Sequence, residues 1–139
     1  SGLVGVISPW NFPLSLSTID TIPALLAGCA VIVKPSEITP RFVAPLMMTL
    51  NTIPQLRDVL NFVEGAGQTG AALIEDVDLI CFTGSLETGR LVAENAAINF
   101  IPAFLELGGK DPAIVLESAD LDLATSAILW AAVTNTGQS

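Results

Sequence analysis

Short apolar runs rich in β-branched residues alternate with stretches of helical spacing along the chain. Residues 3–7, 30–33, 59–63, 79–82, 103–105 and 113–116 read as strands. Their hydrophobicity is continuous rather than alternating, which suits parallel strands covered on both faces. Between them, Leu16, Ile19, Ile22, Leu25 and Leu26 keep helical spacing, and Pro23 should kink or restart that helix. Thr39-Pro40 pairs a capping residue with a first-turn proline. Val43, Leu46, Met47, Leu50 and Ile53 then line one helical face, although Pro45 has no local explanation there. Further helices are predicted over 69–74, 85–97 and 122–133. The alternation predicts a doubly wound, Rossmann-like α/β fold, with a mainly parallel sheet and helices on both faces. Residues 1–139 would form a single partial domain.

Composition narrows the class. The 139 residues are 51 % hydrophobic, high for a free-standing soluble domain and more typical of the interior of a larger protein. No apolar run approaches the ~20 residues of a membrane-spanning helix, so a membrane partner is not expected. The chain opens on Ser1-Gly2-Leu3, without an initiator Met or a signal pattern, and closes on a loop-like 135–139, as a segment of a larger protein would. The net charge is −9, and the five basic residues, Lys34, Arg41, Arg57, Arg90 and Lys110, form no stripe, which argues against nucleic acid. There is no His, so neither a Ser-His-Asp triad nor a Cys/His zinc site can be built, and no metal is expected. Cys29 and Cys81 sit beside apolar runs and read as structural thiols in a reducing, cytoplasmic compartment.

In open α/β sheets ligands bind beyond the carboxyl ends of the strands. Those ends carry Ser8-Pro9-Trp10-Asn11-Phe12-Pro13, Lys34-Pro35-Ser36-Glu37, the glycine-rich 64–70, Thr83-Gly84-Ser85 with Gly89, and Glu106-Leu107-Gly108-Gly109-Lys110. Nearly all the polar and glycine-rich content gathers at these five edges, as a ligand cleft requires. Singly each block has a bland reading. The glycines of 65–70 make a turn, Gly84-Ser85 caps a helix, Lys34 and Glu37 sit on a solvated loop, Asn11 serves a proline turn, and Glu106 is a loop carboxylate.

Together, and in this order, these blocks and Asn135 with Gly137-Gln138 resemble the NAD(P)-dependent aldehyde dehydrogenase superfamily over the whole chain, though only over the middle of that family's usual length. The resemblance implies attack of a cysteine thiolate on an aldehyde, hydride transfer to the nicotinamide, and hydrolysis of the thioester to a carboxylic acid. Asn11 matches the oxyanion-stabilising residue, since its amide donates to developing charge without a proton to lose. Glu106 matches the general base, and its neighbouring glycines give it room to move. Lys34, Ser36 and Glu37 match the adenosine-ribose side of the cofactor site. Ser8, Trp10 and Gly67 line its groove, Gly84, Ser85 and Gly89 form the pyrophosphate turn, and Leu107 and Gly108 lie near the nicotinamide. A Glu at position 37 should repel a 2′-phosphate, which favours NAD, with NADP as the alternative.

The resemblance places the nucleophilic cysteine directly after Ser139, and neither Cys29 nor Cys81 matches it. It further implies a small-molecule aldehyde as substrate and a homo-oligomeric parent enzyme. Two alternatives accompany this reading: the chain is a dinucleotide-binding module in its own right, or it is an inactive fragment.

Overall fold

The computed structural model describes residues 2–138, which form two compact units, one ending at Gly108 and the other beginning at Gly109. The first unit is built on five strands: β1 (Leu3–Ile7), β2 (Ala30–Lys34), β3 (Leu60–Phe62), β4 (Leu79–Gly84) and β5 (Ala103–Leu107). Their order in the sheet is β3-β2-β1-β4-β5, and every neighbouring pair is parallel. Strand order therefore reverses at β1, which pairs with β2 on one side and with β4 on the other.

Helices cover both faces because the strands are apolar on both sides. Along β1 and β2, Val4, Val6, Val31 and Val33 join Leu60 and Phe62 in one core, against which Ala24 and Leu25 of α2 (Thr21–Leu26) and Leu46 and Met47 of α3 (Val43–Leu50) pack. Leu3, Ile7 and Ile32 point the other way. They pack against a second core of Ile80, Phe82, Leu73 and Ile74 of α4 (Gly67–Glu75), and Val92 and Ala96 of α5 (Leu86–Ile98). Successive strand residues thus serve opposite layers, the two-residue period of a strand covered on both sides.

The prolines mark where helices begin. The stretch after β1 divides into α1 (Pro13–Thr18) and α2, so Pro13 opens one helix and Pro23 sits in the first turn of the next. A first-turn N–H has no intrahelical partner, so proline loses nothing there. Pro45 is explained the same way: a 3-10 turn (Pro40–Phe42) precedes α3, and Pro45 is its third residue. Helix α3 ends at Leu50, so Ile53 lies in the following turn rather than on the helical face. Gly28, with φ +82°, closes α2: its N–H bonds to the Leu25 carbonyl at 2.9 Å and that of Cys29 to the Ala24 carbonyl at 3.0 Å. That is a Schellman closure, and its left-handed position favours glycine.

The second unit contains α6 (Leu121–Val133), capped by Asp120, whose Oδ1 accepts from the N–H groups of Asp122 and Leu123 at 3.0 Å each. A short 3-10 turn (Thr134–Gly137) follows, with Asn135 and Thr136 in left-handed conformation. One expectation fails here: residues 113–116 are not a strand. A β-branched run acquires strand structure only by pairing its backbone, and no described strand pairs with this one.

Ile80 is fully buried at the centre of the second core, whereas Met48 on α3 is 74 % exposed. Ile80→Ala should lower the unfolding free energy by about 2–5 kcal/mol through lost burial and a residual cavity. Met48→Ala should change it by less than about 0.5 kcal/mol. Urea unfolding of the two variants beside the parent sequence measures both.

Candidate functional site

The reversal of strand order leaves a gap at the carboxyl edge of the sheet, between the loops that follow β1 and β4. A groove of about 620 Å³ lies there, within the usual size of a small-molecule site. Ser8, Pro9 and Trp10 wall it from the β1 end, Lys34, Ser36 and Glu37 from β2, and Thr83, Gly84 and Ser85 from β4. Gly67 and Gly70 border it from α4, and Thr88, Leu91, Val92 and Asn95 from α5. A second cavity of about 650 Å³ adjoins it and shares Pro9, Trp10, Thr83, Gly84 and Ser85. Asn11, Leu16, Ile19, Asp20, Glu106, Leu107 and Gly108 complete its lining.

Local bonds set this geometry. The Ser8 N–H continues the β1–β2 ladder to the Lys34 carbonyl at 3.1 Å, and the Ser8 hydroxyl lies 2.7 Å from that of Ser17. Ser17 in turn donates to the Pro13 carbonyl. A hydroxyl has one proton to donate, so Ser8 is the donor to Ser17, and the chain of bonds seats α1 against the end of β1. The intervening loop, with Trp10 and Asn11, is thereby held at the cavity mouth. Thr39 ties it from the other side, donating its hydroxyl to the Trp10 carbonyl at 3.1 Å rather than capping the turn it precedes. On α5, Ser85 is a true cap: its Oγ accepts from the Thr88 N–H at 3.2 Å. The N-terminus of this helix, a place suited to anions, opens on the groove.

Lys34 is buried, and its Nζ donates to Glu37 Oε2 at 2.8 Å. That bond holds the Glu37 carboxyl below the ordinary carboxylate range. In the neighbouring cavity the Asp20 carboxyl is raised, first by burial and then by the negative charge of Glu106. Cys81 is buried in the sheet, and burial, with a smaller contribution from Asp20, pushes its thiol up to about 11. Cys29 is half-buried and borders a different cavity, at the amino ends of the strands.

Ten of the eleven residues matched to the cofactor site fall on these two cavities: Ser8, Trp10, Lys34, Ser36, Glu37, Gly67, Gly84 and Ser85 on the groove, Leu107 and Gly108 on its neighbour. Asn11 and Glu106 share the second cavity. Gly89 lines neither; it is buried beneath Leu107, whose side chain occupies the space a Cβ would need. Ser8 contributes to the groove with its hydroxyl already engaged. Sequence inspection missed Asp20, Thr88 and Asn95. The last two had a legible signal, since Thr88, Leu91, Val92 and Asn95 recur at helical spacing on one face of α5.

The model of the aldehyde dehydrogenase family matches residues 1–139. The chain belongs to this family. It is 50 % identical to the 4,4'-diapolycopene aldehyde oxidase of a Methylomonas species, over 99 % of this chain and 26 % of that protein. The PutA structure from Anabaena variabilis superimposes with a TM-score of 0.95 at 80 % identity, covering 99 % of this chain and 29 % of that one. An aldehyde dehydrogenase of Mycobacterium tuberculosis, solved with NAD+, superimposes at 0.92 and 41 % identity, again over 99 % of this chain and 29 % of that one. The chain thus spans less than a third of these relatives. Among the described residues no cluster of His, Cys, Asp or Glu could hold a metal ion, and no helix is long and apolar enough to cross a membrane.

Two measurements check the electrostatics. Because the folded Glu37 carboxyl is more acidic than the unfolded one, the pair stabilises the fold above the unfolded value, and that contribution is lost as pH falls through the folded value. In Lys34→Met, NMR titration should show Glu37 moved up toward its ordinary 4.5. At neutral to mildly alkaline pH, iodoacetamide should modify Cys29 in the folded chain while Cys81 stays a protonated, shielded thiol until unfolding.

Proposed function

We propose that this chain is the cofactor-binding part of an enzyme that oxidises an aldehyde to a carboxylic acid with NAD. The adjoining cavities carry this reading: one joins Lys34, Glu37 and the start of α5, and the other joins Asn11 and Glu106. The residues of the first suit a dinucleotide. Lys34 and Glu37 stand at the end of β2, where ribose hydroxyls can be bound, and the N-terminus of α5 suits a pyrophosphate. NAD, when bound, supplies the hydride acceptor. Glu37 disfavours a 2′-phosphate, which is the reason for choosing NAD over NADP.

In the second cavity the Asn11 amide donates to the oxygen that gains negative charge when a thiolate adds to the aldehyde. Once that adduct has given up its hydride it is a thioester; Glu106 then takes a proton from the water that attacks it, and the thiolate leaves as the carboxylic acid forms. The thiolate comes from outside the described residues, because Cys81 is buried and protonated and Cys29 borders a different cavity. A second reading, that the chain binds the dinucleotide unaided, has one supporting observation: the whole groove is lined from within the first unit. Calorimetric titration of the isolated chain with NAD tests it, and a folded sample without heat of binding would rule it out.

In the full-length enzyme, Asn11→Ala should lower kcat by about 10²–10³-fold. Glu106→Gln should lower steady-state turnover by about 10²–10⁴-fold. Both are read from formation of reduced nicotinamide. The isolated chain should show no turnover above a buffer blank. Undiminished oxidation by Glu106→Gln would remove Glu106 from the mechanism.

A further inference from the structure

We infer that Asp20 makes the aldehyde cavity selective for substrate charge, favouring neutral aldehydes over those that carry a carboxylate. This rests on reading the cavity of Asn11 and Glu106 as the aldehyde site. Its described lining contains two carboxylates, Asp20 and Glu106, and no Lys or Arg. Trp10, Leu16, Ile19 and Leu107 make the rest of the wall largely apolar.

Asp20 stands at the N-cap position of α2, where an aspartate ordinarily accepts from the first-turn N–H groups. It makes no such bond, and its backbone is in the right-handed helical region rather than in a cap conformation. The carboxylate is therefore not occupied in holding the helix, and it borders the cavity. Burial raises the Asp20 carboxyl, and the negative charge of Glu106 across the same cavity adds to that rise. An anionic substrate group entering this half-buried space meets like charge on two sides and, among the described residues, no compensating cation. A neutral chain meets the apolar wall.

The experiment compares butanal with 4-oxobutanoate, which share a four-carbon chain and differ by one carboxylate, on the full-length enzyme and its Asp20→Asn variant. The unmodified enzyme should show the higher kcat/KM for butanal. Asp20→Asn should narrow the ratio by about fivefold, the size expected when one unit charge is removed several ångströms away in a partly solvated site. Raising the salt to about 1 M, where the Debye length is about 3 Å, should narrow it in the unmodified enzyme as well, an effect that a purely steric role of Asp20 would not produce. The ratio is internal to each protein, so partial loss of folded variant leaves it readable. A ratio unchanged by Asp20→Asn, or a native preference for 4-oxobutanoate, would overturn the inference while leaving the aldehyde reading intact. Oxidation of neither aldehyde by an enzyme that binds NAD would overturn the aldehyde reading, and the inference with it.

Discussion

The parallel pairing of β1 with β2 on one side and β4 on the other is the constraint on which the site depends. Parallel strands all end at the same edge, so every loop leaving a carboxyl end meets the others there. Because α2 and α3 cover one face while α4 and α5 cover the other, the loops after β1 and β4 diverge. The groove occupies the space between them. Neither cavity needs an inserted loop or a second domain to exist; both follow from the strand order β3-β2-β1-β4-β5.

Smaller interactions then turn an opening into a shaped site. The bonds from Ser8 through Ser17 to Pro13, with Thr39 on Trp10, anchor both sides of the loop that bears Asn11. Gly89 lets Leu107 settle against α5, so that the end of β5 meets the first turn of that helix. The buried Lys34 is paired with Glu37, and an unpaired ammonium at that depth would be costly. Groups that look like ligand contacts are thus also structural. Their pairing presents that side of the groove as a preformed hydrogen-bonding unit.

The electrostatic character of the two cavities differs. The groove offers a paired cation, a helix N-terminus and hydroxyls, which suit a molecule with phosphates. Its neighbour offers an amide and two carboxylates on an apolar wall, which suit a neutral carbonyl compound and a general base. Five residues common to both cavities hold these environments side by side. Adjacency of that kind is needed when hydride must pass between two bound molecules.

Much of this was legible in the sequence, because continuous apolar runs broken by glycine and proline report strands buried on both faces and the loops between them. The five strands of the sheet, the helices that separate them and the blocks at the strand ends follow from that local pattern, and the resemblance of those blocks to the family agrees with the family match over residues 1–139. What local pattern cannot report is partnership. Residues 113–116 have the composition of a strand and no strand beside them, so they form none. Pro45 looked misplaced until the preceding turn showed it to be in a first helical turn. Asp20 carried no signal in the sequence, and only the fold brings it into the same cavity as Glu106. The sequence by itself determined the five strands of the sheet and the helices between them, since those depend on spacing and side-chain shape. The tertiary structure decided which carboxylates face each other and which thiol is shut inside the sheet, since those depend on strands far apart in the chain meeting at one edge.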